Sequence, residues 1–325
     1  MTNLSEFTFL SSDGKTQLHG MLWEPEGVAV RAVLQICHGV AEHIARYDGF
    51  ARALNEQGIV VAGHDHLGHG KSLPEGGTPV YFGEGNTWNT VVDDIYILHQ
   101  RLKQRYPDAP LCIMGHSMGS FLTRTYLIRY PGTVKAAVIM GTGWQPGYML
   151  TGGPAWQPRA AITGGLALAN AIAAVSGENA TSELVTELAF GSYNKLFAPN
   201  RTKVDWLSAD ESNVDDYIAD PLCGADATVG LFRQMLHGIR FNQRQSHLRQ
   251  MDREMPVLFV AGDKDPVGSC GKGVRQTYDA FRAAGMRDCT LKLYPGLRHE
   301  ILNEKAYTAD ITKNIEAWLL SRLEK

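Results

Sequence analysis

The amino-acid sequence predicts an α/β fold in which a mainly parallel central sheet is flanked by helices and carries an inserted, mostly helical cap. Three observations lead to this prediction. Short, mostly continuous apolar runs recur along the chain, as is typical of parallel strands buried on both faces. Helical patterns separate most of these runs, which implies right-handed crossovers. A stretch of over one hundred residues, about 143–255, contains short helical patterns and no clear strand.

The strands follow from these patterns in chain order. Two alternating stretches flank a Ser-Ser-Asp-Gly-Lys turn and predict an opening antiparallel hairpin, Glu6–Leu10 with Gln17–Trp23. Six apolar runs then predict the buried parallel strands. These runs are Ala32–Ile36, Ile59–Ala62, Leu111–Met114, Val134–Met140, Val257–Ala261 and Thr290–Tyr294.

The helices follow from apolar spacing and from the glycine or proline that ends them. The clearest, Thr87–Tyr106, places apolar residues at 92, 95, 98 and 102 and stops before Pro107. The others are Phe50–Gln57, Met118–Tyr130 and an amphipathic helix over Ala309–Leu323. We therefore expect a core formed by residues 1–142 and 256–325, with residues 143–255 inserted as the cap.

Composition restricts the class of protein. With 325 residues, 44% of them hydrophobic and 20% charged, the chain has enough apolar material for one large core domain plus an insertion. The formal net charge of -3 gives no electrostatic reason to expect nucleic acid or an anionic membrane as a partner. Small neutral substrates are expected instead.

The cysteines and the N-terminus bear on location. The five cysteines are scattered and contain no C-x-x-C pair, which disfavours a disulfide framework and a structural zinc site. We therefore expect a reducing, cytoplasmic environment. The N-terminus shows no basic region followed by an apolar stretch, so no signal peptide is expected. The longest weakly polar run, Ala160–Val175, is too short for a transmembrane helix, and none is predicted.

The pattern G-x-S-x-G at residues 115–119 is the strongest chemical signal. It follows an apolar strand and opens a helix, which predicts that Ser117 lies on a sharp strand-to-helix turn. Glycine is needed two residues before and after the serine because such a turn tolerates no bulk there. The turn raises the hydroxyl above the sheet and directs the helix N-terminus at a developing oxyanion. Ser117 is therefore predicted to be a nucleophile.

A serine hydroxyl needs a base within hydrogen-bond reach, and the base needs an orienting carboxylate. Candidates for both follow the last two apolar strands, at the sheet edge where sites in open α/β sheets form. Asp263 and Asp265 follow one strand, and His299 follows the other. We interpret His299 as the general base. Taken alone, these residues leave the choice between the two aspartates open.

A dense cluster of His64, Asp65, His66 and His69 suggests a metal site as an alternative. Its spacing matches no standard metal-ligand motif, and Asp65 with the nearby glycines fits a tight loop after a core strand. We expect no metal and no cofactor.

With these motifs in place, the chain resembles the monoacylglycerol lipases and bacterial lysophospholipases of the α/β-hydrolase superfamily. Besides the serine pattern, the resemblance rests on HGVAEH with Arg46 and Tyr47, on GHDHLGHGKS at 63–72, and on Asp-Pro-Leu at 220–222. It implies the α/β-hydrolase fold, a carboxylic ester hydrolase, and Asp265 rather than Asp263 as the triad acid. It also implies an oxyanion hole formed by the backbone N–H groups of Val40 and Met118.

The resemblance further implies monoacylglycerols, lysophospholipids or related acyl esters as substrates, with the cap setting the choice among them. The apolar run Ala160–Val175 and nearby aromatic residues are expected to line an acyl-chain channel or to form the cap's own core. Transient contact of the cap with a lipid surface is a third option. The aromatic residues are Trp144, Tyr148, Trp156, Phe190 and Trp206.

Three rival functions stay open. An aminopeptidase would share the triad and would need an acid in the cap to hold the substrate amine, for which Glu178, Glu183 and Glu187 are candidates. An acyltransferase would differ in excluding water from the acyl-enzyme. A non-catalytic binding module is disfavoured, because serine, acid and histidine occur in the required order.

Overall fold

The computed structural model describes residues 2–144, 158–187 and 191–323. Its centre is a single twisted sheet of eight strands. The strands are β1 (Thr2–Leu10), β2 (Gln17–Pro25), β3 (Ala32–Cys37), β4 (Ile59–His64), β5 (Leu111–His116), β6 (Ala136–Met140), β7 (Val257–Gly262) and β8 (Cys289–Tyr294). Their spatial order is β1-β2-β4-β3-β5-β6-β7-β8.

The predicted hairpin and the six predicted parallel strands are all confirmed. β1 pairs antiparallel with β2, and β2 pairs antiparallel with β4. The other six strands are all parallel to one another, so their carboxyl ends meet at one edge of the sheet. In spatial order they are β4, β3, β5, β6, β7 and β8. The expectation of burial on both faces is wrong for β8, where only Tyr294 is buried, because β8 is an edge strand with one neighbour.

Helices cover both faces of the sheet. The helices of the core are α1 (Asp48–Asn55), α2 (Thr87–Arg105), α3 (Met118–Arg129), α10 (Lys272–Ala284) and α11 (Thr308–Leu323). Apolar residues of α1 and α11 pack together on one face, whereas α2, α3 and α10 pack on the other. The predicted apolar stripe of α2 is buried. No helix in the described part of the chain has the length and apolar character needed to cross a bilayer.

The described residues between β6 and β7 are mainly helical. The helices are α4 (Pro158–Ser176), α5 (Glu183–Thr186), α6 (Ser192–Lys195), α7 (Glu211–Ala219), α8 (Val229–Asn242) and α9 (Gln245–Leu248). An isolated antiparallel bridge joins Thr181 to Thr228. α8 packs on α3, since Asn242 Nδ2 donates to the Phe121 carbonyl at 2.8 Å. The division at residues 143 and 255 stays a prediction.

Candidate active site

Ser117 lies on the tight turn between β5 and α3. Its backbone has φ 54° and ψ −121°, a conformation that is strained for a residue with a side chain. Gly119 makes the turn possible, because an added Cβ there would lie 2.5 Å from the His38 carbonyl oxygen and closer still to that of Cys37. Met118, the first residue of α3, is fully buried. The turn therefore holds Ser117, with 8% of its surface exposed, at the carboxyl edge of the sheet.

His299 and Asp265 meet at the same edge, beyond the ends of β8 and β7. Nδ1 of His299 lies 3.0 Å from Oδ1 of Asp265, and both side chains are buried. Because a carboxylate only accepts, Nδ1 carries a proton and Nε2 keeps the lone pair that can receive one. Asp263 instead accepts from the Gly296 amide at 2.8 Å. Of the two aspartates, Asp265 is the one that contacts His299.

The loop after β3 packs directly against the serine turn. An added Cβ on Gly39 would lie 3.1 Å from Cβ of Ser117, so glycine permits this close approach. The next residue, Val40, is half-buried. His38 braces the loop, because its Nδ1 donates to the Gly39 carbonyl at 2.7 Å and its Nε2 accepts from the His66 amide at 3.0 Å. The backbone of the loop is thereby held beside Ser117.

The histidine-rich block after β4 packs as a scaffold around Asp65. This carboxylate accepts from two backbone amides and lies 2.9 Å from Nδ1 of His19. Burial lowers the pKa of His64 and of His69 to about 3, and burial also lowers the pKa of His66 well below its usual value. The three rings are therefore neutral at neutral pH. These contacts agree with the interpretation of the block as a tight loop.

A buried ion cluster of Glu42, Arg46, His116 and Glu300 lies beside His299. The guanidinium of Arg46 donates to Glu300 at 2.7 and 2.8 Å and to Glu42 at 3.0 Å. Nδ1 of His116 lies 3.1 Å from Oε1 of Glu42, and its Nε2 lies 3.3 Å from the His299 carbonyl oxygen. A carboxylate and a carbonyl both only accept, so both ring nitrogens of His116 donate and the ring is cationic.

The pKa shifts agree with this assignment. Burial lowers the pKa of His116, but the hydrogen bond and attraction to Glu42 outweigh it and raise the pKa overall. Burial raises the pKa of Glu42 and of Glu300, yet His116 acting on Glu42, and Arg46 acting on Glu300, bring both below the usual value. The ion cluster therefore contains two anions and two cations, with no net charge.

The sequence motifs contain only part of this cluster. Glu42 and Arg46 belong to the block on which the resemblance rests, whereas the sequence patterns do not single out His116 or Glu300. Each of these two missed residues is the chain neighbour of a candidate catalytic residue. That adjacency is the signal that could have found them.

The segment between β6 and β7 makes two contacts with the core near the site. The ring of Trp206 lies 5.1 Å, centre to centre, from that of His299. Oδ2 of Asp220 lies 2.8 Å from Nε2 of His43, in the loop after β3. Within the described ranges, these two residues and Cys223 are the one group of three side chains spaced to hold a metal ion. Three of the aromatic residues predicted around the cap lie outside the described residues: Tyr148, Trp156 and Phe190.

Comparison with known proteins identifies the family. The family profile described as serine aminopeptidase, S33, matches residues 28–306. A monoacylglycerol lipase of Mycolicibacterium smegmatis is 30% identical over 324 residues, which cover 98% of each chain. A monoglyceride lipase of Mus musculus is 27% identical over 321 residues, which cover 97% of this chain and 90% of the mouse protein.

Solved structures give the same result. A thermostable carboxyl esterase from Bacillus coagulans superposes with a TM-score of 0.89 at 25% identity, covering 99% of this chain and 100% of the esterase. The predicted fold class and the resemblance to monoacylglycerol lipases are confirmed, and the protein is a carboxylic ester hydrolase. The chain belongs to the serine aminopeptidase, S33, family of the α/β-hydrolase fold.

Proposed function

We propose that the protein is a serine hydrolase that cleaves monoacylglycerols, lysophospholipids or related acyl esters through an acyl-enzyme. Ser117 attacks the ester carbonyl as Nε2 of His299 takes its proton, and His299 then returns the proton to the departing alcohol. Water hydrolyses the acyl-enzyme with the same base. The observation that carries this proposal is the 3.0 Å contact of His299 with Asp265 at the sheet edge where Ser117 turns.

We propose the backbone N–H groups of Val40 and Met118 as the oxyanion hole. Met118 opens α3, so its amide lacks a partner within the helix and lies at the positive end of the helix dipole. Gly39 allows the loop that carries Val40 to approach Ser117. In other acyl-transfer enzymes one such donor stabilises the transition state by about 2.7 to 4 kcal/mol.

We assign substrate choice to residues 143–255, proposed as a cap inserted between core segments 1–142 and 256–325. The monoacylglycerol substrates named for the relatives support a lipid ester as the substrate. Trp206 beside His299 supports an apolar wall next to the reacting carbonyl. Val175, in the last turn of α4, is 88% exposed, which supports transient contact of the cap with a lipid surface. The cytoplasmic location stays a prediction.

The aminopeptidase alternative has less support. Two of the acids considered as amine ligands already pair with cations, Glu178 with Arg233 and Glu187 with Lys195, both at 2.6 Å. The side chain of Glu183 lies outside the described residues. An acyltransferase would use the same triad, and the products distinguish it, because an acyltransferase passes the acyl group to an alcohol in place of water.

The test measures release of fatty acid from monoacylglycerols, lysophospholipids and short simple esters of graded chain length. The wild type is expected to turn over long-chain monoacylglycerols or lysophospholipids fastest, and Ser117→Ala is expected to be inactive. Asp265→Asn is expected to lower kcat about 10⁴-fold, because an amide holds the wrong tautomer of His299. Asp263→Asn is the matched control and keeps its activity, since Asp263 only holds the Gly296 loop.

Each contrary result has a defined meaning. Turnover of short esters alone would assign a small-substrate esterase and exclude the lipase proposal. Activity that survives in Ser117→Ala would overturn the nucleophile. Equal losses in the two asparagine variants would overturn the choice of Asp265 as the acid.

A further inference from the structure

A second concave site lies away from Ser117, between the first turn of α2, the outer face of α8, and α4. Its volume is about 540 Å³. Among the residues that the structure describes, no aspartate or glutamate lines it, although acids outnumber Lys and Arg in the whole chain, 34 against 31. Its basic side chains are Arg233, His237, Arg240 and Arg244, and Asn86 and Asn89 line the end next to α2.

The basic side chains of this groove come from α8 and from the segment that follows it. Arg233, His237 and Arg240 are spaced by four and three residues, which places them on one face of α8, and Arg244 lies two residues beyond the end of this helix. Arg233 pairs with Glu178 at 2.6 Å. Arg240 and Arg244 are exposed and form no ion pair with any residue in the described ranges. Two guanidinium groups are therefore available to an incoming anion.

The start of α2 adds to the positive potential of the groove. Asn86 is the N-cap of this 19-residue helix, and Asn89 lies in its first turn. Gln234, which is buried, accepts from the Trp88 amide at 3.3 Å and donates to the Gly85 carbonyl, so α8 is attached to this helix end. Helix N-termini and side-chain amides both favour anions.

The pKa of His237 is consistent with such a potential. Burial lowers this pKa, and the neighbouring Arg233 and Arg240 lower it further. The positive charges of these two arginines thus oppose the protonation of His237. An anion placed among these groups would relieve the repulsion.

We propose that this groove binds a phosphate-bearing anion, held by the guanidinium groups of Arg240 and Arg244 at the N-terminal end of α2. Guanidinium forks match the tetrahedral oxygens of a phosphate in bidentate geometry. The anion is a soluble phosphate or the phosphate headgroup of a lipid, since both present the same chemistry. The site shares no residue with the candidate triad or its oxyanion hole.

Binding is measured by isothermal titration of the full chain with inorganic phosphate at constant ionic strength. A parallel arm measures co-sedimentation with phosphatidylcholine vesicles, with and without about a fifth of phosphatidic acid. The test variant is R240Q/R244Q. The matched control is R249Q, an exposed arginine that does not line the groove. Ester hydrolysis by all variants reports that they are folded.

The wild type is expected to bind one phosphate per chain, and the double variant is expected to bind at least tenfold more weakly while the control is unchanged. Binding of phosphate without vesicles assigns a soluble ligand, and binding of phosphatidic acid vesicles alone assigns a lipid headgroup; both support the site. The proposal is overturned if the wild type binds neither probe. It is also overturned if the double variant binds as the wild type does, or if the control loses as much as the double variant.

Discussion

Replacing Arg46 with methionine removes the cation that joins the two buried carboxylates of the ion cluster. Methionine keeps most of the aliphatic stem but none of the three hydrogen bonds that Arg46 makes to Glu42 and Glu300. Both glutamates are 4% exposed, so in the folded protein they are largely shielded from bulk water. Removing one member of a buried ion pair typically costs about 3–5 kcal/mol. We expect a loss of that size in the free energy of unfolding at pH 8.

The loss depends on pH, and its sign follows from the carboxyl groups. In the wild type, the pKa values of Glu42 and Glu300 are depressed, so the ionised carboxylates stabilise the fold at any pH above the usual pKa of a glutamate. That stability is lost only as the pH falls through the depressed values. In Arg46→Met, the burial of Glu300 is no longer offset by Arg46, so the pKa of Glu300 is expected to rise, whereas Glu42 keeps its contact with His116. The variant is then penalised where Glu300 ionises, so its deficit is expected to be larger at pH 8 than at pH 5.

Urea unfolding of the wild type and variants at both pH values measures these effects. Arg52→Met is the matched control, because Arg52 also pairs with an acid four residues before it, Asp48, at 2.7 Å. Both partners of that pair are over 40% exposed, and such exposed pairs contribute little to stability. If Arg46→Met cost no more than Arg52→Met, the reasoning from burial would be refuted. A deficit that grew towards pH 5 would refute the charge assignment.

Two further predictions concern stability. Gly119→Ala is expected to unfold at a much lower urea concentration than the wild type, because its Cβ would overlap the Cys37 carbonyl. The control is Gly49→Ala, which is also at the second position of a helix but has open space around it, and it should stabilise the protein by about 0.5–1 kcal/mol. Equal effects of the two alanines would contradict the turn geometry. The hydrogen bond to Asp65 raises the pKa of His19 despite its burial. The wild type should therefore have a larger free energy of unfolding than His19→Gln below pH 6.5, and this difference should be lost as pH rises through the raised pKa. Unfolding curves at pH 6 and pH 9 measure it, and a pH-independent difference would exclude this linkage.

Local signals account for what the sequence predicted. The strands were recognised because apolar runs of four to seven residues between helical patterns fit few other structures. The serine turn was recognised because glycine is required at positions 115 and 119 by close backbone contacts. α10 was not singled out, although Val274, Thr277, Phe281 and Ala284 lie on its buried face. Glycines open this segment, and charged residues occupy the positions between those of the buried face.

Contacts between distant segments account for what the sequence did not predict. Arg46 and Glu300 are 254 residues apart in the chain, so no spacing rule relates them. Asp263 and Asp265 differ only in which group each one meets after folding, a histidine ring or the Gly296 amide. Periodicity reports which face of an element is buried. It does not report which partner a buried charge finds.

The position of the ion cluster has a consequence for the proposed chemistry. Its members come from the three segments that carry the candidate nucleophile, base and oxyanion donor: His116 precedes Ser117, Glu300 follows His299, and Glu42 lies two residues after Val40. The cluster has no net charge, so it can hold these segments together without adding a net charge beside the developing oxyanion. Removing Arg46 should therefore lower kcat as well as stability, even under conditions where the variant is fully folded.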